Sequence, residues 1–255
     1  MQSLRGVTLP DENVLDLLQD RFVLGTRNIE RDLHVGISHG YQCNQTAVGT
    51  TNGAGGRNLQ ILVLDADQTV IHVLPGFWHP EELVAELGLA LELHRLYRQS
   101  GMYPPHKLAM FRRLHEAQLA RYGATAARRS EWQDFDGWEE FSRAGGGLRD
   151  TLVYDDAGQP MRGANGRPVM RPMLQVVHER QMAQPFRKLA DFDMETFVDY
   201  GRPFYDNNSG LDKGRNFPRA VASNEKRDRI EAKEQALAAK EQAKAEKEQK
   251  KRSRG

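Results

Sequence analysis

Cysteine is nearly missing from this chain. Cys43 is the single thiol in 255 residues. That excludes an internal disulfide framework, a cysteine-only zinc site and C-x-x-C redox chemistry within the chain. Long apolar runs are missing too. No stretch reaches the roughly 18 apolar residues of a membrane-spanning helix, and MQSLRGVTLPDENV carries no apolar signal core. Hydrophobic residues reach only 39%, below the usual globular share, so part of the chain is expected to stay outside a core. Charge of one sign is also not in excess: 36 basic residues stand against 35 acidic ones. This argues against a uniformly basic nucleic-acid binder.

The end of the chain has its own composition. Residues 223–255 carry seven lysines and four arginines against seven acids, almost all among Ala, Glu, Lys, Gln and Arg. These are strong helix formers, and pairs such as Glu241 with Lys244 add only tenths of a kcal/mol each. Ile230 and Leu237 start an apolar seam that Lys244 ends. The expectation is a solvated charged helix or a tail. If nucleic acid or an anionic surface is bound at all, it is through this segment, with Lys250, Lys251, Arg252 and Arg254 at its tip.

The first hundred residues are the most strongly patterned. Asp11 suits a helix cap, and Val14, Leu15, Leu17, Leu18 and Phe22 form an apolar face behind it. FVLGTRNI, residues 22–29, reads as a short strand. LQILVL, residues 59–64, is the near-continuous run of a buried strand. Asp65 to Gln68 make a polar turn, and TVIHVL, residues 69–74, alternates as its antiparallel return. Pro75-Gly76 ends it. Pro80, Glu81 and Glu82 then open a helix whose face is expected at Leu83, Val84, Leu87, Leu91 and His94. Gly101 and Pro104-Pro105 are expected to close that unit before a second helix over residues 107–122. Beyond it lie a three-residue aromatic spacing (Trp132, Phe135, Trp138, Phe141), a Gly145–Gly147 break, turn-rich residues 150–172 and short amphipathic pieces over 173–221.

Helix, strand, long connection, hairpin, Pro-Gly and amphipathic helix follow the order of the later part of the thioredoxin-like family. LQILVLDADQTVIHVLPGFWHPEELVAEL resembles that family's final hairpin and last helix, and TLPDENVLDLLQDRFVLGTRNI resembles the end of its first helix and its second strand. The resemblance implies an α/β thioredoxin-like core over residues 1–100, incomplete at the N-terminus. A mostly helical extension over 101–222 would pack on it, and the charged tail would follow over 223–255. The family's first strand and C-x-x-C would precede Leu9, and Gly55-Gly56-Arg57-Asn58-Leu59 has no proline where the family has its cis-proline. Two readings stay open. Either an upstream strand and cysteine pair precede this start, or the chain is a divergent, redox-inactive member. Thiol–disulfide chemistry requires a thiolate, so the expectation for this chain is no dithiol activity. The alternative in another class is a non-catalytic module that binds a protein partner. With no signal segment, the default compartment is the cytoplasm.

Candidate site residues are few. Cys43 with His39 nearby is the one nucleophile candidate; the plain alternative is an unreactive thiol. His34, His39 and Cys43 do not form a standard zinc spacing, and no metal is expected. His72 and His79 read as structural histidines. The richest segment is Gly49, Thr50, Thr51, Asn52, Gly53, Gly55, Gly56, Arg57 and Asn58, whose glycines can turn backbone N–H groups toward a ligand. It is neither a P-loop nor a G-x-G-x-x-G fingerprint, so no cofactor is expected. It is a candidate substrate or peptide loop, or else a structural lead into the strand. The adjacent pairs Glu139-Glu140 and Asp155-Asp156 read as solvated charge.

Overall fold

The computed structural model describes residues 4–29, 32, 34, 35 and 49–201. Cys43, His39 and residues 223–255 lie outside the described residues. The protein is mixed α/β. Helix α1 spans Glu12–Arg21 and is capped by Asp11, whose carboxylate accepts from the Asn13 and Val14 N–H groups. Strands β1, Gln60–Leu64, and β2, Val70–Pro75, form a two-stranded antiparallel hairpin. Ile61 faces Leu74, Leu62 faces Val73 and Val63 faces His72, with a register shift between Val63 and Leu64. Gln68 closes the hairpin at φ 64.

Helix α2, Pro80–Arg98, starts with proline at its first turn, where the missing N–H is harmless. Helix α3, Pro104–Arg121, does the same. Pro104-Pro105 therefore opens a helix and does not merely close the preceding unit. Helix α4 covers Ala124–Arg129, α5 Asp134–Arg143, α6 Met173–Met182 and α7 Met194–Phe197. Between α5 and α6 lie short bridges, Leu152 with Met170, Tyr154 with Pro160 and Arg162 with Pro168, separated by Gly158 and Gly166 turns.

One apolar core joins distant parts of the chain. Val14, Val73, Leu74, Trp78, Leu83 and Leu87 pack with Ala126, Leu174, Val177, Phe197 and Val198. A second cluster sets Ile71 against Leu89, Leu93, Leu96 and Phe111. Helices α2, α3 and α6 therefore all close on β2, whose residues are buried throughout. This enclosure buries Glu82, Glu86, Leu89 and Leu93 on α2 and leaves Leu91 and His94 only half-buried. The 3.6-residue period was legible, but not how far the neighbours wrap around the helix.

Residues 22–29 do not form a strand. They run without ladder pairing, and Val23 and Leu24 stand exposed. β-propensity organises a strand only where a neighbour's ladder is within reach, and among the described residues this segment pairs with none, being set off from β1 by a groove.

Candidate functional site

The two outer edges of the hairpin differ. At β2, Gln181 from α6 acts as a substitute strand: its side-chain oxygen accepts from the Val73 N–H at 3.1 Å and its amide donates to the Ile71 carbonyl at 3.4 Å. The Val70 N–H donates to the Arg187 carbonyl, and Thr69 bridges to Lys188. The β2 edge is closed.

Among the described residues the β1 edge is open. The Val73 N–H points outward to Gln181, so Val73 and its partner Leu62 form a non-hydrogen-bonded pair. Leu62 must then turn its own N–H and carbonyl away from β2. Among the described residues no backbone group pairs with them. Along this edge runs a groove of about 950 Å³. Gln60, Leu62 and Leu64 line it from β1, Val23 and Ile29 from the unpaired segment, and Phe192 from the region before α7. At its rim Arg27 pairs with Asp32 at 3.0 Å, and Asp193 and Glu195 add carboxylates. His34 meets Gln60 at 3.2 Å, and burial lowers its pKa from the usual imidazole value.

Behind β2 lies a sealed polar centre. The Glu86 carboxylate receives His72 Nε2 at 2.6 Å on one oxygen and His178 Nε2 at 3.0 Å on the other. The Tyr122 hydroxyl also donates to Glu86, and Gln118 donates to Tyr122 at 3.1 Å. The His178 Nδ1 and His115 Nδ1 atoms are 2.8 Å apart, so one of the two carries the shared hydrogen. Glu86, His72, His115 and His178 are all fully buried. Burial opposes ionisation of Glu86, but the charge and hydrogen bonds of His178, then those of His72, hold its carboxyl well below the usual carboxylate range. Burial, with His178 and His72 nearby, pushes His115 down to about 2. Among the described residues His72 Nδ1 and His115 Nε2 have no hydrogen-bond partner. A shallow pocket of about 340 Å³ between α2 and α3 reaches Gln118 and Tyr122, but a general acid or base must come within hydrogen-bond reach of its substrate, and these histidines have no exposed surface. The arrangement fastens β2, α2, α3 and α6 together. Among the described residues no group of three His, Cys, Asp or Glu side chains is placed to hold a metal ion.

The glycine-rich segment is a structural joint, buried at Thr50, Asn52, Gly53 and Gly56 and half-buried over most of the rest. The Asn52 N–H donates to the Arg129 carbonyl and the Gly53 N–H to the Phe77 carbonyl, both at 2.7 Å. Asn52 also holds Ser130 and the His79 N–H through its side chain. The Tyr200 hydroxyl donates to the Gly53 carbonyl at 2.9 Å. Gly53 sits at φ +81 against Met173, and any Cβ at Gly56 would collide with the Tyr200 ring. Thr50 accepts at its carbonyl from His79, the Gln133 amide reaches Gly49 and Thr51, and Gly55 accepts from Asn58. Arg57 pairs with Asp199 at 2.7 Å. Of the segment, Asn58 alone lines the groove.

His72 and His79 are packed within the protein, His79 by its bond to Thr50. Glu140 departs from the solvated reading: it is fully buried and receives Arg143, Arg149, Thr151 and the Gly201 N–H. The neighbouring Asp199, beside Arg143 and Arg149, is lowered to about 2; burial alone would raise it. Asp155 holds its own turn by accepting from the Ala157 and Gln159 N–H groups. The polar centre could have been found by its spacing. Phe111, His115, Gln118 and Tyr122 recur every three to four residues, as do Leu174, Val177, His178 and Gln181, and a polar residue at core spacing is a buried-network signal. No family model, no curated protein and no solved structure matches the chain.

Proposed function

We propose that the chain is a thioredoxin-like, redox-inactive protein that works by holding another protein and not by exchanging disulfides. One observation carries this reading: the Glu86–His72–His115–His178 centre is sealed behind β2, whereas a largely apolar groove runs along a strand edge that is unpaired among the described residues. Main-chain hydrogen-bonding groups beside apolar side chains suit recognition of extended polypeptide. The lone thiol, Cys43, gives no resolving partner within the chain for dithiol exchange. The helix-capped hairpin followed by Pro75-Gly76 and α2 supports the thioredoxin-like reading, because its order matches the end of that fold.

The test is insulin reduction with thioredoxin reductase and NADPH. The full chain gives no turnover above buffer. Turnover that disappears in Cys43→Ser contradicts the proposal and makes the cysteine catalytic.

A further inference from the structure

Three features stand outside the fold's ordinary packing: the sealed histidine–glutamate centre, the Arg57–Arg143–Arg149 cluster on Asp199 and Glu140, and the groove at β1. The first has no access. In the second the arginines are spent on the two carboxylates and the Asp199 carbonyl. The third combines an unpaired ladder, a cavity and a charged rim.

We infer that the open edge of β1 receives one extended strand from a partner polypeptide, with alternate apolar side chains and a basic flank. This rests on the protein-holding reading above and names what is held. Leu62 presents an outward N–H and carbonyl, the two groups an added strand pairs with. β1 has five residues, so the added ladder is roughly 17 Å long at about 3.3 Å per residue. Side chains on one face of that strand drop into the groove beside Leu62 and Leu64, and face Val23, Ile29 and Phe192. The exposed Val23 is covered as they enter.

Charge sets the chemistry of the flank. Among the described residues that line the groove, Asp32, Asp193 and Glu195 outnumber Arg27, and the lowered pKa of His34 leaves it neutral at pH 7. The rim is therefore net negative and favours lysine or arginine beside the apolar positions. The same rim disfavours a second copy of this chain. Pairing two β1 edges about a two-fold axis would bring both sets of carboxylates together, and like charges facing across an interface are costly.

The probe is a fluorescein-labelled peptide, Lys-Val-Thr-Val-Thr-Val-Lys, titrated with the full-length chain and read by anisotropy. A Glu-flanked version and a version with Pro at the central Val serve as comparators. Saturable binding is expected, weakened at least tenfold by either change, and reduced as salt rises. Val23→Lys and Leu64→Lys, both at exposed side chains, are expected to weaken binding at least tenfold with unchanged melting temperature. Absence of saturable binding, or equal binding of all three peptides, overturns the inference. So does a concentration-dependent dimer by sedimentation that Leu64→Lys dissolves, because a second copy would then own the edge. Insulin reduction reads the thiol and not the groove, so this inference can fail while the redox-inactive reading stands.

Discussion

The two strands of one hairpin meet opposite fates. β2 is buried at every residue, and its outer edge is closed by Gln181 and by the backbone at Arg187 and Lys188. β1 is half-buried, ends at the exposed Leu64, and leaves its outer edge to a groove. Unpaired sheet edges are normally blunted by charge, by proline or by a covering element. Among the described residues one edge is covered and the other is left with apolar side chains and a few rim carboxylates. The contrast teaches where the molecule holds itself together and where it can hold something else.

The largest effect that sharpens the contrast is at Glu86. In Glu86→Ala, His72, His178 and Tyr122 lose a common acceptor inside the core. Each buried donor left without its acceptor costs about 1–3 kcal/mol, so the summed loss is roughly 3 kcal/mol or more. Urea denaturation should show that loss, and a change below about 1 kcal/mol would mean the centre does not fasten β2.

Acid comes next. His115 is held near 2 in the folded protein, against an ordinary value of 6.5. Below pH 6.5 the unfolded chain therefore binds a proton that the folded chain refuses. The stability tied to His115 is complete above pH 6.5 and falls by about 1.4 kcal/mol per pH unit below it, or roughly 2.7 kcal/mol by pH 4.5. Glu86 acts in the same direction at lower pH: its depressed folded pKa stabilises the fold above the ordinary carboxylate range and is lost as pH falls through the folded value. Denaturation curves of wild type and His115→Phe between pH 7.5 and 4.5 check this, and parallel pH profiles would refute it.

Gln181→Leu is expected to be of comparable size in urea denaturation. It keeps much of the side-chain bulk but strips the Val73 N–H and the Ile71 carbonyl of their partner. Each unsatisfied buried group costs about 1–3 kcal/mol. At the open edge, Val23→Lys should change stability by less than about 0.5 kcal/mol, because Val23 is fully exposed. A large loss there would place Val23 in the core and close the groove.

The hairpin, its turn and the proline start of α2 were readable because they follow from local chemistry: strand alternation, a polar turn, a ring suited to the first helical position; Pro104-Pro105 reads as a stop for the preceding unit, although the same ring chemistry opens α3. Asp11 was likewise readable as a cap. The open edge was only half readable. FVLGTRNI has a strand's composition, but a strand also needs a neighbour, and that depends on the assembled sheet. The sealed centre was half readable too: its polar residues recur at core spacing on α3 and α6, but their meeting was not. Glu86, His115 and His178 lie far apart in sequence and meet only when α2, α3 and α6 close on β2. Glu140 looked solvated because only Arg143 lies near it along α5, whereas Arg149, Thr151 and the Gly201 N–H reach it from beyond the helix.

Amide hydrogen exchange at Leu62 and Val73 tests the contrast most directly, because these residues face each other across the hairpin with both N–H groups turned outward. The Val73 amide, held by Gln181, is expected to exchange roughly tenfold or more slowly than the Leu62 amide in the full-length chain at pH 7. Equal protection at the two positions would mean that the β1 edge is already paired, and would contradict the account.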